Sequence, residues 1–256
     1  MLVFIGVGYS KEQLTIEAIN EVKRAEKIYI DTYTSLYEYS LRELLEEINP
    51  NAEYVYATRR VLEGEAINKI IKEAETRNIA IVSPGDPFIA TTHDAIRLEA
   101  IKRNITVKVV HGISIISMIY SKLGLQVYRF GKIATLVYPD HFKPYSTIEV
   151  IYDNLSRNLH SIVLLDLRID ESKAMSIEEA VEIIRELDFK NTLLKQPAIA
   201  VARLGWKDEK ICADILENLS KYKYPPPPHT LVITASLHPI EREFYEYWKN
   251  TCFHAI

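Results

Sequence analysis

Short apolar runs alternate with stretches of helical periodicity through the first half of the chain. Residues 2–7, 27–30, 53–57, 79–83 and 106–110 are runs of four to six residues weighted toward Val, Ile and aromatic side chains, and they predict short strands. Between the first two, Leu14, Ala18, Ile19, Val22 and Ala25 recur at helical spacing, and Ile67, Ile70, Ile71 and Ala74 do so before the fourth. That spacing places each set on one face of a helix. Strands separated by helices imply a parallel sheet, and the crossover helices are expected to cover both of its faces.

Near residue 125 the pattern changes. Apolar runs at 132–138, 161–167, 196–203 and 229–235 predict further strands, and residues 176–187 and 242–249 predict helices. The expected organisation is two α/β domains, residues 1–124 with the parallel sheet and residues 125–256. No Gly/Ser linker marks the junction, so tight packing of the halves is expected. The four prolines at 225–228 are expected to form extended polyproline backbone that delivers His229 to the start of a strand.

Composition narrows the picture mainly by exclusion. The 256 residues are 48% hydrophobic and 26% charged, with a net charge of −4, which gives no electrostatic case for a nucleic-acid partner. No apolar stretch approaches the roughly 18 residues of a membrane span, and M-L-V-F-I-G-V-G at the start lacks the basic prefix of a signal peptide. A cytoplasmic protein is expected. Cys212 and Cys252 have no CxxC spacing and the seven histidines form no HExxH, so neither a disulfide framework nor a metal site is expected.

Ligands of a parallel α/β sheet bind beyond the carboxyl ends of its strands. Three segments fall there: G-V-G-Y, S-P-G-D-P-F-I and H-G-I-S-I-I. In the second, two prolines forbid continued helix or sheet, Gly85 allows a sharp turn, and Asp86 leaves a carboxylate at the edge. Gly6 and Gly8, with Asp31 ending the second strand, fit the opening of a dinucleotide fingerprint and hence a nicotinamide-dependent oxidoreductase, but Lys11 occupies the third glycine position. A nucleophile elbow at Ser114 fails because Ile116 stands where a small residue is required. Ser114 is read as a helix cap, or as a hydroxyl and amide facing a ligand. His93 is expected in the first turn of a helix capped by Thr92, and His111 as a structural histidine. T-Y-T-S-L-Y-E-Y, residues 32–39, is placed to line a cleft whose aromatic faces favour a cation.

Taken together, I-G-V-G, D-T-Y-T-S-L, S-P-G-D-P-F-I-A-T-T-H, H-G-I-S-I-I, Y-R-F-G-K-I-A-T and P-P-H-T-L-V-I run in the order found in one family. Over essentially the whole chain the sequence resembles the diphthine synthases, in their compact archaeal form, within the tetrapyrrole-methylase fold. P-G-D-P is shared with corrin and siroheme methylases, whereas Y-T-S-L, A-T-T-H and P-P-H are specific. The resemblance implies two α/β domains with S-adenosyl-L-methionine in the cleft between them, S-adenosyl-L-homocysteine as product, and a homodimer. It implies trimethylation of the amino group of a 3-amino-3-carboxypropyl-histidine in translation elongation factor 2. Carried over by position, the cofactor contacts fall on Tyr9, Asp86, Ile89, Ser114, Ile115, Leu165, Leu204 and His229. Tyr9 and Leu204 depart from the family's usual leucine and alanine, and Gly112-Ile113 from its small or proline residues; these positions are expected to contribute backbone contacts. The resemblance assigns no catalytic residue. A tetrapyrrole C-methyltransferase of the same fold would want clustered cations, and Arg59-Arg60 is the only adjacent arginine pair.

Overall fold

The computed structural model describes residues 1–64 and 67–253. The chain forms two compact units: Met1–Ser117 with Ile169–Ser172, and Met118–Arg168 with the described residues from Lys173 onward.

In the first unit, β1 (Leu2–Gly6), β2 (Lys27–Asp31), β3 (Glu53–Ala57), β4 (Ile79–Ser83) and β5 (Val107–Val110) make one sheet in the order β3-β2-β4-β1-β5. Every pairing is parallel. The crossovers contain helices α1 (Ile16–Arg24), α2 (Leu41–Ile48), α3 (Arg59–Leu62), α4 (Ile67–Ala74) and α5 (Asp94–Lys102). Side chains alternate across a strand, so Val3, Ile5 and Ile30 pack with Val22 and Leu45 of α1 and α2. Leu2, Phe4 and Ile81 face the other way, onto Ile70, Ile71 and Ile96 of α4 and α5. Both faces are therefore core, which is why these strands read as continuous apolar runs. Each such side chain contributes about 1.5–3 kcal/mol by leaving water.

Helix α6 (Ile115–Lys122) follows β5 along the chain. The second unit holds β6 (Ala134–Leu136), β7 (Ser161–Leu165), the short pair β8 (Leu167–Arg168) and β9 (Lys173–Ala174), then β10 (Pro197–Ala202), β11 (Lys210–Ile215) and β12 (His229–Ile233). Its main sheet has the order β11-β10-β12-β7-β6, and only β6 and β7 pair in parallel. Helices α7 (Tyr145–Ser156), α8 (Ile177–Leu187), α9 (Leu216–Leu219) and α10 (Pro239–Thr251) complete it. Ile148, Ile151, Val181 and Ile184 of α7 and α8 pack on Val163, Ala200 and Leu231 of the sheet. Ser176 and Glu179 form a reciprocal capping box that starts α8.

Periodicity did not reveal α7 or β11. Helix α7 is rich in β-branched residues and Tyr, poor intrinsic helix formers held here by Ile148 and Ile151 in the core. Strand β11 lies at the sheet edge and carries Lys210 and Asp214, so its sequence K-I-C-A-D-I lacks a continuous apolar run. The cysteine expectation is corrected: Cys212 in β11 and Cys252 at the end of α10 are joined in a disulfide, with Cα atoms 4.7 Å apart. Their separation of 40 residues carries no local signature.

Candidate functional site

A parallel sheet sends all its carboxyl ends to one edge, and β4, β1 and β5 are neighbours. The three candidate loops therefore emerge side by side. Glycines let them touch. Gly8 and Gly85, both at positive φ (+65° and +70°), exchange backbone hydrogen bonds of 3.2 and 2.7 Å. A Cβ on Gly112 would lie 2.0 Å from the Gly85 carbonyl oxygen and 2.7 Å from the Gly6 carbonyl carbon, so no side chain fits. The glycines that suggested a dinucleotide turn serve loop-to-loop contact.

Asp86 fastens the same loops. Its Oδ1 accepts from the Phe88 amide (3.0 Å), and Oδ2 lies 2.9 Å from His111 Nδ1 and accepts from the Gly112 amide at 3.3 Å. The carboxylate is 7% exposed. Tyr9 crosses over Gly85, where an added Cβ would lie 2.6 Å from its hydroxyl. That hydroxyl bonds Ser35 and the Ile115 backbone, and burial pushes its pKa up to about 12, so it keeps its proton. Ser114 Oγ accepts from the Ser117 amide (3.2 Å) and caps α6, as expected; Ile115 is the first residue of that helix. Ile89 stands exposed at the edge. The first unit thus gathers Tyr9, Asp86, Ile89, Ser114 and Ile115.

Two neighbouring residues take other roles than expected. Asp31 does not present its carboxylate to a ribose. Oδ1 accepts from the Tyr33 and Thr34 amides (2.8 and 3.0 Å), and Oδ2 accepts from the Thr34 hydroxyl and faces His93 Nε2 at 3.2 Å. These contacts hold its pKa below the usual carboxylate range against the opposing effect of burial. That removes the residue on which the oxidoreductase reading rested. His93 is itself the residue preceding α5 and has no Thr92 cap; its Nδ1 donates to the Pro87 carbonyl (2.8 Å). It ties the P-G-D-P loop to the end of β2. Arg59, of the arginine pair, is held by Glu63 (2.9 Å) and lies over the Tyr33 ring.

In the second unit, Leu165 ends β7, His229 begins β12, and Leu204 lies just past β10. The register Ala202↔His229 and Leu164↔Thr230 brings the three to one edge of that sheet. His229 is 7% exposed and internally satisfied. Nε2 donates to the Pro225 carbonyl (2.7 Å) and Nδ1 accepts from the Ile177 amide (3.2 Å), and burial pushes its pKa down to about 4. The imidazole is neutral and structural, leaving the backbone as the group available at this position. The prolines before it bend, with a cis peptide at Pro227–Pro228, in place of the continuous polyproline segment expected. Arg203 holds them through its amide to the Pro228 carbonyl (2.9 Å) and its Nε to Pro226 (2.6 Å).

The cleft expected along residues 32–39 is present, with walls that the sequence did not show. A cavity of about 280 Å³ opens at the carboxyl end of β2, lined among others by Ser35, Tyr37, Tyr39, Arg42, Tyr56 and Pro84. Thr32, Ser35, Leu36, Tyr37 and Tyr39 belong to the segment expected to line a cleft, whereas Tyr56 and Arg42 come from β3 and α2.

The tetrapyrrole (corrin/porphyrin) methylase family matches residues 1–220. The chain is 54% identical over 248 residues to a diphthine synthase of Staphylothermus marinus, covering 96% of this chain and 93% of the relative. It is 32% identical over 270 residues to a diphthine methyl ester synthase of Bos taurus, covering 95% and 93%. A crystal structure of a diphthine synthase superposes with a TM-score of 0.88 at 32% identity, over 97% of this chain and 96% of that one. Its loops, its fold and these relatives agree, and the chain belongs to the tetrapyrrole methylase family, within the diphthine synthases.

Proposed function

We propose that this methyltransferase transfers methyl groups from S-adenosylmethionine to the amino nitrogen of a 3-amino-3-carboxypropyl-histidine in translation elongation factor 2, adding three to give diphthine. The observation that carries this reading is the convergence of three loops at Gly6, Gly85 and Gly112, in a chain aligned with a diphthine synthase over nearly its full length.

The residue types suit the cofactor. S-adenosylmethionine carries a sulfonium, a carboxylate, ribose hydroxyls and an adenine, and no phosphate that would need a glycine cradle. Hydroxyls at Tyr9 and Ser114 and apolar surface at Ile89, Leu165 and Leu204 match a ligand that is mostly apolar with a few polar points. When bound, the cofactor supplies an electrophilic methyl carbon and a neutral thioether leaving group. The residues named here bind and orient; in-line attack by the neutral amine, whose nitrogen gives up one proton to solvent for each methyl gained, requires no protein nucleophile, and alignment with exclusion of water supplies the rate. Asp86 acts by holding two of the loops together. A cytoplasmic homodimer working on a protein partner, without nucleic acid or membrane, completes the reading. Among the described residues no helix is long and apolar enough to cross a membrane.

The test is incubation with S-adenosylmethionine and elongation factor 2 bearing the unmethylated arm, followed by mass measurement of the modified peptide. A gain of three methyl groups is expected, and no gain overturns the reading. In calorimetry the protein is expected to bind S-adenosylmethionine and S-adenosylhomocysteine and to ignore NAD.

A further inference from the structure

We propose that the cavity at the carboxyl end of β2 receives the arm that is methylated, with tyrosine faces taking its ammonium group and Arg42 its carboxylate; this rests on the function proposed above. The cavity, about 280 Å³, lies just under the roughly 300 Å³ at which small-molecule pockets begin. It suits a single modified side chain. It also borders the three-loop site directly: Pro84 precedes Gly85, and Ser35, on the cavity wall, bonds the Tyr9 hydroxyl.

The wall chemistry selects the occupant. Tyr54 and Tyr56 alternate onto one face of β3, and the Tyr54 hydroxyl donates to the Leu45 and Asn49 carbonyls (2.8 and 2.7 Å), fixing that face against α2. The Arg42 guanidinium lies over both rings, 5.8 Å from the centroid of Tyr54 and 5.4 Å from that of Tyr56, while Glu46 holds its Nε at 2.7 Å. An arginine held in this way loses little freedom on meeting a carboxylate. The Tyr37 hydroxyl is buried without a hydrogen-bond partner, and burial raises its pKa, so it remains a donor. A carboxylate would satisfy it.

Among the described residues on this wall the acidic side chain is Asp31, which already accepts from Tyr33 and Thr34 and faces His93, so what the wall offers a cation is aromatic: Tyr37, and Tyr56, whose ring already draws the Arg42 guanidinium. Each transfer proceeds from the neutral amine, formed when the bound ammonium releases a proton to solvent, and leaves an ammonium with one N–H fewer, so a site built on hydrogen bonds would loosen at each step. Ring faces attract the positive charge whether or not N–H groups remain, so the same wall serves every methylation state. Tyr33, stacked with Arg59, is not among the lining residues.

The experiment uses full-length Tyr56→Ala, Tyr56→Phe and Arg42→Gln proteins; Tyr56 is 53% exposed and the Arg42 side chain 39%, so neither position carries the fold. Each is measured for S-adenosylmethionine dissociation constant, KM for modified elongation factor 2, and distribution of methylation states. Expected are unchanged cofactor affinity throughout, mono- and dimethylated product accumulating with Tyr56→Ala, and trimethylation restored in Tyr56→Phe. Arg42→Gln is expected to raise KM about tenfold, one charge-assisted hydrogen bond's worth. Wild-type KM and fully trimethylated product in Tyr56→Ala and Arg42→Gln overturn the proposal, as does a loss of cofactor affinity that accounts for the activity change. A wild-type protein that methylates nothing overturns the underlying functional reading instead.

Discussion

Asp86 shows how a residue with a ligand-like position can act through the backbone. Its two oxygens take the Phe88 and Gly112 amides and meet His111, so its removal leaves two part-buried amides without their partner as well as loosening two loops. Asp86→Ala is expected to lower stability by about 2–3 kcal/mol, the usual worth of charged buried hydrogen bonds, and to weaken S-adenosylmethionine binding in parallel. Thermal denaturation with calorimetry checks this; weaker binding at an unchanged melting temperature would show that the carboxylate acts on the ligand alone. His229 supplies a pH dependence. Its pKa is pushed down to about 4 in the folded protein, against about 6.5 when unfolded. Between those values the unfolded chain binds the extra proton, so its contribution is complete above pH 6.5 and is lost as pH falls toward 4. The full loss is about 3 kcal/mol. His160, also held low by burial, contributes with the same sign, so the comparison that isolates His229 is His229→Gln, whose melting temperature should fall less steeply between pH 7 and 4.5. Parallel slopes would reject the assignment.

Among elements, the sheet order β3-β2-β4-β1-β5 decides the site, because it sets the loops after β4, β1 and β5 next to one another. Their closeness tolerates no side chain at Gly112. Gly112→Ala is expected to cost at least about 1–3 kcal/mol, as for overpacking in a core, and to reduce cofactor affinity because the loops must separate. The substitution Gly64→Ala gives the opposite case: an added Cβ there meets nothing within 4 Å but Gly64 has positive φ (+66°), so it reports backbone strain without crowding, whereas Gly112, which is not at positive φ, reports crowding without that strain. Equal binding in Gly112→Ala and wild type would show that the loops can part without harm.

At the scale of the molecule, the second unit is stapled by Cys212–Cys252, which joins its edge strand β11 to the end of α10. Restricting the unfolded chain over a separation of 40 residues is worth about 4 kcal/mol in the chain-entropy account. Cys252→Ser, or wild type under reductant, should therefore melt about 10 °C lower. Identical melting curves with and without reductant would exclude a contribution from the staple.

The chain by itself determined the strands of the first unit, helices α1 and α4 between them, and the three loops at their ends, because both-face burial and punctuation by Gly and Pro are written in local order. Residues 53–57 and 79–83 are strands to the residue. It offered Ser114 as a cap, beside a ligand-facing reading, because a helix start is also local, and the Ser117 amide bears out the cap. Tertiary structure decided what each polar group does. Asp31 looks like a ribose ligand until α5 brings His93 to it, and the His229 ring looks open to a ligand until Pro225 and Ile177 take both its nitrogens, leaving the backbone. The disulfide, the glycine contacts and the cavity that joins Tyr37 and Arg42 to Tyr56 and Pro84 share one cause. Each unites residues distant in sequence, and their meeting depends on sheet order and register, which no local periodicity encodes.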